Sequence, residues 1–189
     1  IYYLENNSLA YYRGTDGSPA VRLGVGTPAI SPDGKWVLLG SNHVTPKLPL
    51  QLQPIGPGEA KDLPTPGVIA FDHYGWSDDG RQIVYEGETE ERKWNIYKQA
   101  VAGGVPVLVK TDARDSYAVL SPAGDTVALR EGRGGISLYR DRGNENHRDE
   151  THGNESQPVP VKTASATEFP IRFVKDGKAL LVAEQPGTN

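Results

Sequence analysis

A short pattern that ends in glycine recurs four times along the chain, and it constrains the fold more than any other feature of the sequence. The glycines of the four copies, Gly34, Gly80, Gly124 and Gly177, are 46, 44 and 53 residues apart. One short apolar segment precedes each copy and another follows it. Repetition at a period of roughly 20 to 50 residues is typical of solenoids and propellers. The chain is therefore expected to consist of about four similar structural units.

Each copy has the chemistry of a β-hairpin turn. Asp-Gly between two apolar segments supplies a positive φ angle, and the aspartate can hydrogen-bond to the nearby backbone. In the first copy Pro32 also presets φ for the turn, whereas in the third copy Ala123 replaces the acid. Each copy thus predicts a strand, a tight turn and a second strand. The expected structural turn residues are Asp33, Gly34, Asp79, Gly80, Gly124, Asp176 and Gly177.

A second, more polar pair of strands is predicted after each hairpin. It is clearest in the second repeat, where residues 94–99 and 105–109 flank a turn at Gly103 and Gly104. Four strands in about 45 residues are typical of a propeller blade. We predict an all-β propeller segment of about four four-stranded antiparallel blades. The approximate repeats are residues 1–26 (the outer part of a blade), 27–67, 68–112, 113–166 and 167–189 (the inner part of a blade).

Composition supports this fold class and excludes several functions. The 22 glycines and 15 prolines in 189 residues disfavour long helices. The formal net charge is −4 and the basic residues are scattered, so nucleic acid is not an expected partner. No apolar segment approaches the about 20 residues that a membrane-spanning helix needs. Cysteine is absent, so disulfides are excluded and the compartment stays open.

The repeat resembles that of the TolB-type propeller family. The shared pattern is an apolar strand, Ser-Pro-Asp-Gly-Lys or its Arg variant, a second apolar strand, a tyrosine-containing strand and a Gly-Gly turn. This type of repeat is also found in propellers of dipeptidyl-peptidase and tricorn-like proteases. Residues 76–139 and 169–182 are similar to C-terminal propellers of bacterial serine/threonine kinases. The resemblance implies a sensor or protein-interaction domain, in a periplasmic or extracytoplasmic location rather than a cytoplasmic one.

The resemblance also implies that the propeller extends beyond these residues. About six to eight blades are commoner than four among TolB-like propellers. An open arc would expose apolar blade faces and unpaired strand edges. We therefore expect a larger propeller, or an arc completed by self-association with another copy. The chain begins at Ile1 and contains no methionine, which favours an excerpt from a longer polypeptide.

Two segments interrupt the repeat. Residues 143–157 are almost wholly polar and predict a loop or insertion within the third repeat. His147 and His152 lie there near two carboxylates, but their spacing is not the helical H-E-x-x-H of zinc enzymes. We therefore predict neither a metal site nor a cofactor. Residues 45–67 are rich in proline, which suits edge strands and loops.

No catalytic set is recognisable in the sequence. The motif G-x-S-x-G is absent, and none of the four histidines is paired with a serine. We therefore predict a non-enzymatic binding, sensing or protein-interaction module. One alternative is a propeller domain of a serine hydrolase or peptidase, which gates a catalytic domain outside this chain. The other is a periplasmic TolB-like scaffold.

The strand-to-strand loops are the expected contact surface, because propellers present rigid loops on a stable scaffold. The ligand can be a protein or a small molecule, and the sequence does not identify it. The candidate contact residues are Asn42, His43, His73, Tyr74, Arg114, Asp115, Tyr117, Glu168 and Arg172.

Overall fold

The structure, a computed structural model, describes residues 9–41, 48–114, 116–130, 135–140, 158–165 and 167–184. Within these ranges the chain forms sixteen β-strands and no helix, so the all-β prediction is confirmed. The strands make five antiparallel sheets that follow one another in chain order. The predicted polar insertion at residues 143–157, with His147 and His152, lies outside the described residues.

Three of the sheets have four strands each, and we call them blades 1, 2 and 3. In every blade the strands lie side by side in chain order. Blade 1 contains β3 (Thr27–Ile30), β4 (Trp36–Gly40), β5 (Gln51–Pro54) and β6 (Lys61–Asp62). Blade 2 contains β7 (Val68–Trp76), β8 (Gln82–Thr89), β9 (Trp94–Ala100) and β10 (Val107–Lys110). Blade 3 contains β11 (Tyr117–Leu120), β12 (Thr126–Arg130), β13 (Ile136–Arg140) and β14 (Val159–Pro160).

The other two sheets are two-stranded. The N-terminal pair consists of β1 (Leu9–Tyr12) and β2 (Val21–Val25), and the C-terminal pair of β15 (Glu168–Val174) and β16 (Ala179–Glu184). The first strands of successive sheets contact one another, β3 with β7, β7 with β11, and β11 with β15. These four strands therefore lie on the same side of the stack, and we call them the inner strands.

The core lies between neighbouring sheets rather than in one central mass. The second strand of each blade is buried on both faces, so its consecutive apolar residues serve two junctions in alternation. Ile83 and Tyr85 pack towards Leu38 of blade 1. Val84, between them in sequence, packs towards Leu129 of blade 3. This alternation explains why the strands after the turns are continuous apolar runs in the sequence.

The same arrangement holds at the two outer junctions. Val37 and Leu39 pack against Ala10 of the N-terminal pair, on the opposite face of β4 from Leu38. Ala128 packs against Phe173 of the C-terminal pair, on the opposite face of β12 from Leu129. The four apolar clusters therefore each fill one junction, as expected for blades stacked around an axis.

The first two repeated turns are built around a serine rather than around the aspartate alone. In blade 1 the Ser31 hydroxyl donates to Asp33 Oδ1 at 2.7 Å and accepts the Trp36 N–H at 2.9 Å. The Gly34 N–H donates to the Ser31 carbonyl at 2.9 Å, with a glycine φ of 71° that favours this residue. Blade 2 repeats the arrangement with Ser77 and Asp79. The hydrogen bond from the serine hydroxyl is the main cause that lowers the pKa of each aspartate.

The third and fourth turns differ from the first two. In blade 3 the Ser121 hydroxyl donates to Asp125 Oδ1 at 2.6 Å, so the acid after the glycine replaces the one missing at Ala123. This bond is the main cause that lowers the pKa of Asp125. In the C-terminal pair Asp176 and Gly177 both have positive φ angles, 54° and 82°, as in a type I′ hairpin turn.

The turns of successive sheets are stacked on one another. A Cβ atom added to Gly80 would lie 3.6 Å from Pro32 of the preceding turn, and one added to Gly177 would lie 3.5 Å from Pro122. At Gly124 the added atom would lie 2.6 Å from Cγ of Gln82. The four reversals thus occupy equivalent places in successive sheets, as the propeller prediction requires.

Candidate functional site

The inner strands define two faces of the stack. β3, β7 and β11 end immediately before Ser31, Ser77 and Ser121, so all the repeated turns lie at one face, the turn face. The same strands begin at the opposite face, which we call the start face, where the chain arrives from the preceding sheet. Ligands of propellers are expected at such faces, near the axis that the inner strands surround.

Three aromatic rings from three different sheets contact one another towards the start face. His73 of β7 lies 5.3 Å from Tyr117 of β11 between ring centroids, and Tyr117 lies 5.1 Å from Phe169 of β15. Tyr117 is the first residue of its strand and Phe169 the second. Tyr117 is 39% exposed, His73 is exposed and Phe169 is half-buried. We call these three side chains the ring row.

The position of His73 depends on a β-bulge in β7. The register between β7 and β8 shifts between Asp72 and Gly75, and His73 has a φ angle of 38°, uncommon for a residue other than glycine. Its N–H donates to Asp72 Oδ1 at 3.0 Å, and its ring Nδ1 lies 3.0 Å from Glu86 Oε2. Glu86 is buried. At the bulge, the imidazole of His73 therefore lies between a buried carboxylate and the Tyr117 ring.

Arg130 lies directly beside the centre of the ring row. It is the cross-strand partner of Tyr117 in the register between β11 and β12. Its guanidinium Cζ lies 6.0 Å from the Tyr117 ring centroid, within the range of a cation–π interaction. Arg130 is only 6% exposed, and within the described part of the chain its Nε has no hydrogen-bond partner.

Tyr74 supports the junction between blades 1 and 2. Its hydroxyl accepts the Gly40 N–H at 2.8 Å, and it lies against the carbonyl oxygens of Gly40 and Thr27. Two residues further along the same strand, Trp76 donates its indole N–H to the Ala29 carbonyl at 3.0 Å. Both side chains thus bind the backbone of blade 1.

The other predicted contact residues are spread over the structure. Arg172 forms an ion pair of 3.0 Å with Asp78, which joins the C-terminal pair to the turn of blade 2 across blade 3. Glu168 accepts the Ala164 N–H at 2.9 Å, and the guanidinium of Arg114 lies 5.1 Å from the centroid of a tryptophan ring. Asn42, His43 and Asp115 lie outside the described residues.

Of the predicted residues, the structure thus brings His73 and Tyr117 together. Three residues of this site were missed, namely Phe169, Glu86 and Arg130. Phe169 follows the predicted Glu168 directly, and one-residue alternation in a strand places the two side chains on opposite sides. Arg130 is detectable only as a charged residue that ends the apolar run of β12.

A second candidate is a cleft of about 430 Å³ at the turn face, between the turns of blades 1 and 2. Three aspartates line it, but each already has a partner. Asp33 and Asp79 accept from the turn serines, and Asp78 is paired with Arg172. The lowered pKa of Asp33 and Asp79 keeps both ionised, which does not suit a proton donor. The remaining lining residues are Ser31, Pro32, Trp36, Trp76, Gly80 and Val101.

In the described ranges, no group of three or more His, Asp or Glu side chains is arranged to hold a metal ion. None of the described segments forms a helix with the length and apolar character that crossing a bilayer requires.

Two solved structures are similar to this chain over almost its whole length. TolB from Acinetobacter baumannii matches with a TM-score of 0.64 and 17% identity, covering 96% of this chain. The β-propeller domain of the Trilobed protease from Pyrococcus furiosus, described as having an open velcro topology, matches with a TM-score of 0.62 and 12% identity, covering 95%. The fold is a TolB-like β-propeller.

This propeller spans about half the length of the structures that it matches, 44% of the TolB chain and 56% of the protease propeller domain. No protein-family model matches the sequence, and comparison with curated proteins finds no match. Identities this low establish the fold alone. The activity and partners of the propeller must therefore be argued from its own residues.

Proposed function

We propose that this TolB-like propeller is a non-enzymatic binding module, and that its ligand contacts the ring row at the start face. The observation that carries the proposal is the continuous contact of His73, Tyr117 and Phe169 across two blade junctions. Partly exposed aromatic rings on a rigid scaffold supply large contact areas with little loss of conformational entropy.

β15 carries one further exposed apolar side chain. Ile171, two residues after Phe169, is 43% exposed. Exposed apolar surface is typical of interaction sites when it is contiguous. The ring row covers two centroid spacings of 5.3 and 5.1 Å, which matches about three residues of an extended peptide at roughly 3.3 Å per residue. A protein segment with aromatic or aliphatic side chains therefore fits this surface.

A selection of random peptides on the purified propeller tests the proposal. Enriched peptides are titrated by fluorescence anisotropy against the wild type, Tyr117→Ser and Tyr12→Ser. Tyr12, on β1, is 45% exposed and serves as the matched control. We expect Tyr117→Ser to weaken binding at least tenfold, about 1.4 kcal/mol, and Tyr12→Ser to leave it unchanged. Equal affinity of all three proteins, or no enriched peptide, would reject the ring row as the binding surface.

A second candidate function is a propeller domain that gates a protease. The similarity to the propeller domain of the Trilobed protease favours it, since that domain belongs to a protease. Under this proposal the catalytic residues lie in another part of the polypeptide. Sequencing of the complete gene tests it, because a gate requires an encoded hydrolase domain and a binding module does not.

For the binding module we also propose a periplasmic, extracytoplasmic location, because one similar structure is a TolB protein. Fractionation of cells that express the complete gene, with the propeller detected by antibody, provides the measurement. Recovery in the cytoplasmic fraction would contradict this location.

A further inference from the structure

Arg130 differs from the other buried charged residues that the structure describes. Glu86 lies 3.0 Å from His73, Glu88 lies 3.3 Å from Arg92, and Lys98 donates to a backbone carbonyl. Arg130 is equally buried, yet among the residues described its Nε has no acceptor. A buried cation without a hydrogen-bonded anion is costly, because it has lost water and gained no counter-charge.

The sheet that faces Arg130 does not supply that anion. Arg130 lies two residues from Ala128 on β12, so both side chains point towards the C-terminal pair. The two carboxylates of that pair near the start face, Glu168 and Glu184, accept hydrogen bonds from Ala164 and Thr167 respectively. Among the described residues, the guanidinium lies against the ring of Tyr117.

We infer that Arg130 is the anchor for the carboxylate of a ligand that lies along the ring row, an inference that rests on the proposed function. The planar guanidinium can present two N–H groups side by side to a carboxylate, which forms two parallel hydrogen bonds. Contact with the Tyr117 ring already restricts the guanidinium, so less entropy is lost on binding. The apolar part of the same ligand then lies on Tyr117 and Phe169.

A singly charged carboxylate suits this position better than a phosphate dianion. The buried carboxylate of Glu86 lies at the His73 end of the ring row and repels additional negative charge. One arginine also balances one negative charge. The ligand class is therefore a carboxylate next to an aromatic or aliphatic group, such as the end of a peptide chain.

The test uses 3-phenylpropanoate as the probe and 3-phenylpropanamide as its uncharged match. Arginine Nε–H resonances of the ¹⁵N-labelled propeller are followed during both titrations, and the Arg130 resonance is assigned by its loss in Arg130→Gln. We expect the acid to move this resonance and the amide to leave it in place. Arg130→Gln should weaken binding of the acid about tenfold. Arg81→Gln, which removes an exposed arginine at the turn face, should leave it unchanged.

Three results would overturn the inference. They are equal affinities for the acid and the amide, wild-type affinity of Arg130→Gln for the acid, and an equally large shift with inorganic phosphate, which would indicate a general anion site. If Arg130→Gln does not fold, the resonance is assigned in Arg130→Lys, and the comparison of the two probes on the wild type decides the matter. Arg130→Lys keeps the charge but lacks the two-pronged geometry, so it should bind the acid less tightly than the wild type.

Failure of this inference is distinguishable from failure of the proposed function. If Tyr117→Ser weakens the acid and the amide alike while Arg130→Gln changes neither, the ring row binds ligands and Arg130 does not. If the acid moves the Arg130 resonance while Tyr117→Ser leaves peptide binding intact, Arg130 binds carboxylates and the ring row is not the peptide surface.

Discussion

The Ser77 hydroxyl is a small group on which the turn of blade 2 depends. Ser77 is fully buried, and its Oγ accepts the Gln82 N–H at 3.0 Å and donates to Asp79 Oδ1 at 2.6 Å. Ser77→Ala removes both bonds and leaves a backbone donor without its acceptor. A typical hydrogen bond contributes about 1 kcal/mol, and an unsatisfied buried donor costs about 1–3 kcal/mol. Because Asp79 is partly exposed, we expect a total loss of about 2 kcal/mol at pH 7.

The loss should depend on pH. The Ser77 hydroxyl is the main cause that lowers the pKa of Asp79 from its ordinary value of 3.8. A carboxyl group whose pKa is lowered by folding stabilises the folded state fully above its unfolded pKa. That contribution disappears as the pH falls through the folded pKa. The difference in unfolding free energy between the wild type and Ser77→Ala should therefore shrink below about pH 4.

Urea denaturation at pH 7 and at pH 3 measures both effects. Asp176→Asn is the matched control, because the sequence places this acid in the equivalent turn but its φ angle is 54°. Asparagine tolerates that conformation, so the control should change stability by less than about 0.5 kcal/mol. A Ser77→Ala cost below that value at pH 7, or a cost that is the same at both pH values, would refute the role given to the serine.

Two further substitutions test the junctions between blades, both measured by urea denaturation at pH 7. Gly124→Ala and Gly34→Ala each place a side chain at a φ angle above 70°, but only at Gly124 would the new Cβ lie 2.6 Å from Gln82 of the neighbouring blade. We expect Gly124→Ala to cost about 1 kcal/mol more than Gly34→Ala, and equal costs would contradict the stacking of the turns. Tyr74→Phe removes the hydroxyl that binds blade 1 and should cost about 2 kcal/mol, whereas Tyr12→Phe, at an exposed site, should cost less than about 0.5 kcal/mol. Similar stability of these two variants would show that the Tyr74 hydroxyl does not support the junction.

The fold was predictable from the sequence because its information is local. Turn chemistry at Gly34, Gly80 and Gly124 lies within a few residues of the chain, and the spacing of these turns defines the blades. The apolar run of β8 indicates a strand buried on both faces. The run does not show which residue faces which neighbouring blade. The stacking of the sheets decides that Ile83 faces blade 1 and that Val84 faces blade 3.

The candidate site was only partly predictable because its contacts join residues that are far apart in the chain. His73 reaches Tyr117 through a bulge whose register shift leaves no distinct sequence signal. The position of Arg130 beside Tyr117 depends on the pairing register of β11 and β12. Contact residues that are predicted from loop position alone therefore include some with a structural role. Tyr74 is one of them, because its hydroxyl binds the neighbouring blade.

In the third turn, alignment of the repeat sequences does not reveal which residue supplies the carboxylate. The alignment indicates that the acid is lost, since Ala123 occupies its position, yet Asp125 accepts the Ser121 hydroxyl at 2.6 Å from the other side of the glycine. Asp125→Ala should therefore cost about 1 kcal/mol in urea denaturation.

Adding Ala123→Asp to that variant restores an acceptor where blades 1 and 2 have one, so the double variant should regain most of the lost stability. Ala123→Asp alone serves as the control, and it should gain nothing because Ser121 has a single hydroxyl proton to donate. A double variant no more stable than Asp125→Ala would show that the two positions are not interchangeable. In that case the pairing of the serine hydroxyl with a carboxylate would not be the feature that stabilises all three turns.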